Sequence, residues 1–166
     1  MDPVAKDAEM LAKVPLFSGM SAAERKLLVF TGQVHSFADG DLLMRQGDPA
    51  DCAYVILDGQ AEVLAETAGD SFVVATLGPH SMPGEIGVLI NEPRTATVRA
   101  KGKVRALRIS PDVFVRLATS RPDTALHVMR QLSRHIANDL HALASLREAL
   151  QRAQADAAAA RAAAPH

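Results

Sequence analysis

Gly84-Glu85-Ile86-Gly87-Val88-Leu89-Ile90-Asn91-Glu92-Pro93-Arg94-Thr95-Ala96-Thr97-Val98 is the most informative stretch of this 166-residue chain. It reads as a turn, one short apolar helix, and then a strand that opens with arginine. Gly84 allows close backbone approach and an unhindered helix start. The first turn of such a helix carries unbonded N–H groups and the positive end of the helix dipole, which together attract anions. Glu85 falls in that turn, where its carboxylate is electrostatically tolerated and can accept hydrogen bonds. Arg94 follows the helix and can offer a planar fork to a phosphate, with the Thr95 hydroxyl beside it. A helix N-terminus, a carboxylate, a guanidinium and a hydroxyl suit a ligand that has both a phosphate and a sugar hydroxyl.

Outward from this stretch, residues 31–109 show a period of two, broken by glycine turns at Asp39-Gly40, Gly47-Asp48, Asp58-Gly59, Gly69-Asp70 and Lys101-Gly102-Lys103. Asp-Gly between Tyr54–Leu57 and Gln60–Leu64 signals a hairpin. Phe72–Leu77, Thr95–Ala100 and Val104–Ile109 read as further strands. Seven or eight short strands with regular turns predict an antiparallel β roll, jelly-roll-like, within a mainly β class with flanking helices. Before the strands, Val4–Leu16 has helical spacing, and Ser21-Ala22-Ala23-Glu24 is a capping box. After them, Ser110-Pro111 opens a helix. A break at Ser120-Arg121-Pro122 leads into a long helix without Gly or Pro up to about residue 160. The chain divides accordingly into residues 1–121, the helices and β roll, and residues 122–166, a long helix with an Ala-rich tail.

That last helix carries Met129, Ile136, Leu143, Leu150 and Ala157 at seven-residue intervals, with Leu132, Leu146, Ala153 and Ala160 in the second apolar position and Asp139 as the one fault. The repeat predicts a homodimer through the C-terminal helix.

Composition narrows the function. Eighteen Lys and Arg against nineteen Asp and Glu give a net charge of −1, which argues against nucleic acid or an anionic membrane as main partner. A single Cys, Cys52, excludes an internal disulfide and a Cys-built metal site. The N-terminus has no signal-peptide pattern, and no apolar run approaches the ~20 residues of a membrane helix, so a cytoplasmic protein is expected. His35, His80, His127, His135, His141 and His166 show no metal-ligand spacing, and no nucleophile–base or paired-carboxylate constellation is evident, so no enzyme and no cofactor are expected.

From Pro15-Leu16-Phe17 through Ile136 the chain resembles the cyclic nucleotide-binding domain family, that of the catabolite activator protein and the protein kinase A regulatory subunits. The resemblance rests on Gly40, Gly47 and Gly59, on Gly47-Asp48-Pro49-Ala50-Asp51, and above all on Gly84-Glu85, eight intervening residues, then Arg94-Thr95-Ala96. It implies a cyclic purine nucleotide as ligand, cAMP or cGMP, with cAMP preferred. Arg94 would pair with the cyclic phosphate and Glu85 would accept the ribose 2′-hydroxyl. The N–H groups of Gly84, Ile86 and Gly87 would hold phosphate or ribose, and Thr95 would contact phosphate or purine. Val88 and Leu89 would relay binding to the long helix, which would be repositioned. One of His135, Asn138, Asp139 and Leu143 would close over the base. Two departures stand out. Met82-Pro83 replaces an aromatic or other apolar pair, and no helix-turn-helix module follows the long helix. The expected protein is therefore a stand-alone sensor with an unidentified downstream protein partner. The alternatives are an interaction or scaffold module with a vestigial pocket, or a fragment of a transcription regulator without its DNA-binding domain.

Overall fold

Asp2 and Pro3 start helix α1 (Pro3–Ala12): Asp2 Oδ1 accepts the Val4 N–H at 3.2 Å, and proline at the first helical position forfeits no bond. The computed structural model describes residues 2–164; His166 lies outside them. The helix expected over Val4–Leu16 is shorter than its pattern, because Pro15 cannot continue it. The chain ends α1 at Ala12 and makes a separate 3₁₀ turn at Pro15–Phe17. Helix α2 (Ala22–Thr31) has the expected capping box: Ser21 Oγ accepts the Glu24 N–H at 3.2 Å, and the Glu24 carboxylate accepts the Ser21 N–H at 2.6 Å.

Five strands follow among the described residues: β1 (Gln33–Phe37), β2 (Leu42–Met44), β3 (Ala53–Thr67), β4 (Asp70–Leu77) and β5 (Thr97–Ile109). All pairings are antiparallel, in the order β1-β5-β3-β4, with β2 also on β5. The predicted class, an antiparallel β structure with flanking helices, is the one observed.

The strand count differs, and the reason is physical. Asp58-Gly59 is not a hairpin. Strand β3 runs straight through it and pairs with β5 on both sides, Ala53↔Ile109 through Leu64↔Thr97, with register shifts on either side of Asp58. Gly59 (φ +89°) forms a bulge there, and a Cβ at this position would run into the Lys103 carbonyl of β5. Lys101-Gly102-Lys103 is likewise a bend inside β5, with Gly102 at φ +73°. Two pairs of expected short strands are thus two long bent ones. The hairpin that does exist joins β3 to β4, where Thr67 pairs with Asp70 across Ala68-Gly69. Strand β5 also begins at Thr97, which leaves Arg94 and Thr95 in the preceding loop.

Leu43, Met44, Tyr54, Ile56, Ala61, Val98, Val104 and Ala106 fill the interior of the sheet. Leu11, Phe17 and Phe114 bury completely among the helices. Each such large side chain contributes about 1.5–3 kcal/mol. Asp7 of α1 is buried too, and a two-bond ion pair with Arg105 of β5, at 2.8 and 3.3 Å, ties that helix to the sheet.

Short helix α3 (Glu85–Ile90) leads into β5, and α4 (Pro111–Thr119) and α5 (Pro122–Ala162) follow it. By its contacts the chain forms two units, Met1–His127 and Val128–His166. The second unit is helical as far as Ala162, and Met129, Ile136, Leu143, Leu146 and Leu150 are exposed on it. At 1.5 Å per residue, the 41 residues of α5 span about 60 Å. No helix among the described residues is long and apolar enough to cross a membrane.

Candidate functional site

The approach to α3 is held to β3 by main-chain bonds. The His80 N–H donates to the Ile56 carbonyl, the Ile56 N–H to the Ser81 carbonyl and the Tyr54 N–H to the Pro83 carbonyl, each at 3.0 Å. Pro79 and His80 occupy the corner of a turn closed by the Ser81 N–H on the Gly78 carbonyl at 3.2 Å, and His80 adopts φ +74° there. The attachment uses carbonyls that any residue supplies, so Met82-Pro83 can stand where an aromatic or apolar pair was expected.

Gly84 is the N-cap of α3, in the left-handed region at φ +92°. A Cβ at Gly84 would lie 2.5 Å from Arg94 Nη1 and 3.0 Å from Met44 Cε. Gly87 is confined less tightly: a Cβ there would come 3.0 Å from the Ala50 Cβ and 3.1 Å from the Glu92 carbonyl. The helix ends at Asn91, also left-handed at φ +51°, a conformation that asparagine tolerates. Glu85 opens the first turn, and Val88 is buried beneath the helix.

Arg94 returns to the start of this segment. Its side chain is 3% exposed. Nη1 donates to the Gly84 carbonyl at 3.2 Å, and Nη2 donates to Asp51 Oδ1 at 3.2 Å and to the Cys52 sulfur at 3.4 Å. The Arg94 main chain is fixed as well: its N–H donates to the Asp48 carbonyl at 2.8 Å, and its carbonyl accepts the Gly47 N–H at 2.9 Å. Buried Thr97 braces the same loop. Its hydroxyl accepts the Gln46 N–H at 2.9 Å and donates to Glu66 at 3.0 Å.

Gly84, Glu85, Ile86, Gly87 and Arg94 are therefore brought together, with exposed Thr95 next in the chain. His135, Asn138, Asp139 and Leu143 all lie on α5 within the second unit and are exposed.

Sequence reading missed the support behind Arg94. Asp51 bridges two arginines, with Oδ1 on Arg94 and Oδ2 on Arg108 Nη2 at 3.4 Å, while Arg108 also donates to the Asp51 carbonyl at 3.3 Å. Partial burial raises the Asp51 pKa, but the Cys52 hydrogen bond and the Arg108 and Arg94 charges outweigh it and hold the carboxyl below its ordinary value. Burial, then the Asp51 charge, pushes the Cys52 thiol up. Burial, then Cys52, pushes Tyr54 up to about 12. Cys52 and Tyr54 thus stay protonated at neutral pH, and the Arg94–Asp51–Arg108 cluster keeps one net positive charge. The only signal for Asp51 was its place in the run Gly47–Asp51.

The family model of the cyclic nucleotide-binding domain matches residues 34–121. This chain belongs to the cyclic nucleotide-binding domain family. Two cAMP-dependent protein kinase regulatory subunits are similar to it. That of Dictyostelium discoideum is 37% identical over 113 residues, 66% of this chain and 35% of the relative. That of Blastocladiella emersonii is 35% identical over 108 residues, 64% of this chain and 27% of the relative. The chain thus spans about a third of the length of these curated relatives. Among solved structures, the regulatory domain of Toxoplasma gondii protein kinase A with cAMP aligns at a TM-score of 0.66 and 25% identity, over 78% of this chain and 50% of that one. A cyclic nucleotide-binding-like protein from Brucella abortus aligns at 0.59 and 28%, over 67% of this chain and 96% of that one. The sensor domain of the Pseudomonas aeruginosa regulator DNR shares the fold, at a TM-score of 0.73 and 20% identity over 84% of this chain and 95% of that one. In this cyclic nucleotide-binding domain, Gly84 to Arg94 is the segment that the sequence resemblance singled out.

Proposed function

We propose that this chain is a cyclic-nucleotide sensor that binds a 3′,5′-cyclic purine nucleotide, cAMP in the first place, and does not catalyse. The observation that carries the reading is the buried Arg94 guanidinium, held between the Gly84 carbonyl and Asp51 at the start of α3. A cyclic phosphate there meets a cation already oriented and desolvated, together with the N–H groups of Gly84, Ile86 and Gly87. Glu85 accepts the ribose 2′-hydroxyl, and Thr95 contacts phosphate or purine. The preference for cAMP draws on the Toxoplasma domain solved with cAMP and on the two regulatory subunits named for cAMP dependence. The name of those subunits, regulatory, also supports the non-catalytic reading.

In this reading residues 1–121 form the binding domain and residues 122–166 its output. Val88 and Leu89 pass the change at α3 to the helix, and one of His135, Asn138, Asp139 and Leu143 covers the base. The ligand drives the change only by its differential affinity for two helix positions. The exposed seam of Met129, Ile136, Leu143 and Leu150, with Leu132 and Leu146 beside it, supports a parallel two-fold dimer of this helix. A cytoplasmic setting and a downstream protein partner complete the proposal.

Calorimetric titration with cAMP and cGMP tests it. At ligand near 100 times Kd the fold gains about 2.7 kcal/mol, and Tm rises by several degrees. No heat and no Tm shift with either nucleotide at about millimolar concentration refutes the reading.

A further inference from the structure

Arg108 stands on β5 where that strand is paired on both sides, with Gln33 of β1 and Tyr54 of β3. From this fixed point it reaches Asp51, three residues before Tyr54. Its Nη2 donates to the Asp51 carbonyl at 3.3 Å and to Oδ2 at 3.4 Å. The first contact holds the Asp51 main chain, whose N–H donates to the Pro49 carbonyl at 3.0 Å. The second holds the carboxylate, whose other oxygen, Oδ1, accepts from Arg94 Nη2 at 3.2 Å. The Asp51 side chain is 68% exposed, against 29% for Arg108 and 3% for Arg94. A carboxylate so exposed gives up most of a single ion pair to water and to its own rotamer freedom. Two arginines, one on each oxygen, restrict it to the orientation in which Oδ1 meets Arg94. The other acceptor at Arg94 Nη2 is the Cys52 sulfur at 3.4 Å, a weak one, so Asp51 governs how that half of the guanidinium points.

We propose that Arg108 is a positioning residue for the phosphate site: it orients Asp51, and Asp51 aims the Arg94 guanidinium at the cyclic phosphate, while Arg108 itself does not meet the ligand. The proposal rests on the function proposed above. A guanidinium offers a phosphate two parallel bonds only when its plane is already set. Without Arg108, Asp51 turns into water, and Arg94 keeps its charge but loses its aim. The signature is a loss of affinity that exists only while the Asp51 carboxylate is present.

Calorimetric titration of the full chain with cAMP, in a double-mutant cycle, tests it. Arg108→Gln is expected to raise the Kd about five- to tenfold, and Arg108→Lys, which keeps one charged donor, about two- to threefold. In an Asp51→Ala background the same substitutions shift the Kd by less than about 1.5-fold, because the relay is already cut. An unchanged Kd in Arg108→Gln, or a loss of the same size in both backgrounds, overturns the proposal, since a role in packing alone does not depend on Asp51. If Arg108→Gln does not fold, Arg108→Lys with and without Asp51→Ala decides by the same criterion. The Nε–H resonance of Arg94 in the nucleotide-free chain reads the positioning without any ligand. It is expected to stand apart from free arginine in wild type and to move toward it in Arg108→Gln and in Arg108→Lys. A wild type that binds neither cAMP nor cGMP ends the proposed function. The orientation of Arg94 by Arg108 then still stands or falls on that resonance, and an unmoved resonance refutes it.

Discussion

Arg94 and Gly84, ten residues apart, fix each other: the guanidinium donates to the Gly84 carbonyl at 3.2 Å, and a Cβ at 84 would lie 2.5 Å from the same nitrogen. The glycine that starts α3 and the arginine that follows it form one unit. Arg94→Ala removes the cation from a dry site and is expected to weaken cyclic nucleotide binding by about 2–5 kcal/mol. Glu85→Ala costs about 1.5–3 kcal/mol through lost hydrogen bonds to a charged acceptor. The apo domain loses little in Arg94→Ala, because the stranded Asp51 side chain is 68% exposed and returns to water. Calorimetry for affinity and thermal melts for the apo proteins separate the two effects. Equal affinities of wild type and Arg94→Ala place the phosphate elsewhere.

Two glycines with nearly the same φ differ in what surrounds them. Gly59, at φ +89°, faces the Lys103 main chain, whereas nothing lies within 4 Å of the Cβ position of Gly69, at φ +93°. Gly69→Ala should cost only the left-handed conformation, about 1–2 kcal/mol. Gly59→Ala must also push β3 off β5 and should exceed 3 kcal/mol, at about the upper end of single substitutions. Urea unfolding of both variants checks the order. Similar costs would mean that the β3–β5 pairing yields easily at the bulge.

The Asp7–Arg105 pair is asymmetric: the Asp7 side chain is 6% exposed and that of Arg105 33%. Arg105→Ala leaves a carboxylate in the protein interior and is expected to cost about 3 kcal/mol or more. Asp7→Ala frees an arginine that can reach water and should cost about half as much. A reversed order in denaturant unfolding would show that Asp7 rehydrates without hindrance.

Asp51 gives a pH dependence of definite sign. Its carboxyl is held below the ordinary 3.8 in the folded chain. A depressed acid stabilises above its unfolded value and loses that stabilisation as pH falls through the folded one. Tm of wild type should therefore exceed that of Asp51→Asn by a constant margin above about pH 5. The margin closes below pH 3.8 as the carboxyl protonates. A margin that does not change with pH would assign the effect to packing.

Leu143→Asp with Leu146→Asp places charge on the exposed face of α5. If the helix pairs with a second copy, sedimentation should find a wild-type dimer at tens of micromolar and a monomeric variant that still binds nucleotide. Wild type sedimenting as a monomer, with and without nucleotide, ends the dimer proposal.

Local signals in the sequence were read correctly because their physics is local. The Ser21–Glu24 capping box, Ser110-Pro111 at the start of α4, the break at Ser120-Arg121-Pro122 before α5 and the turn at Gly69 each act within a few residues. The segment from Gly84 to Arg94 was legible for the same reason, since a left-handed glycine, a six-residue helix and the arginine that returns to that glycine all fall within eleven positions. The sequence by itself thus determined the β class, the helical flanks and the short segment from Gly84 to Arg94.

Tertiary structure decided what Asp58-Gly59 does. Asp-Gly tolerates positive φ equally well in a reversal and in a bulge, and the choice fell to a partner more than forty residues away, β5, which pairs with β3 on both sides of the glycine. The same long-range pairing set Asp51 and Cys52 behind Arg94 and brought Arg108 to the other oxygen of Asp51. No periodicity encodes such meetings, because they depend on the register of two strands whose sequences are each compatible with several. The residues proposed to touch a phosphate can be read along the chain; those that hold Arg94 in place follow from how the sheet closes.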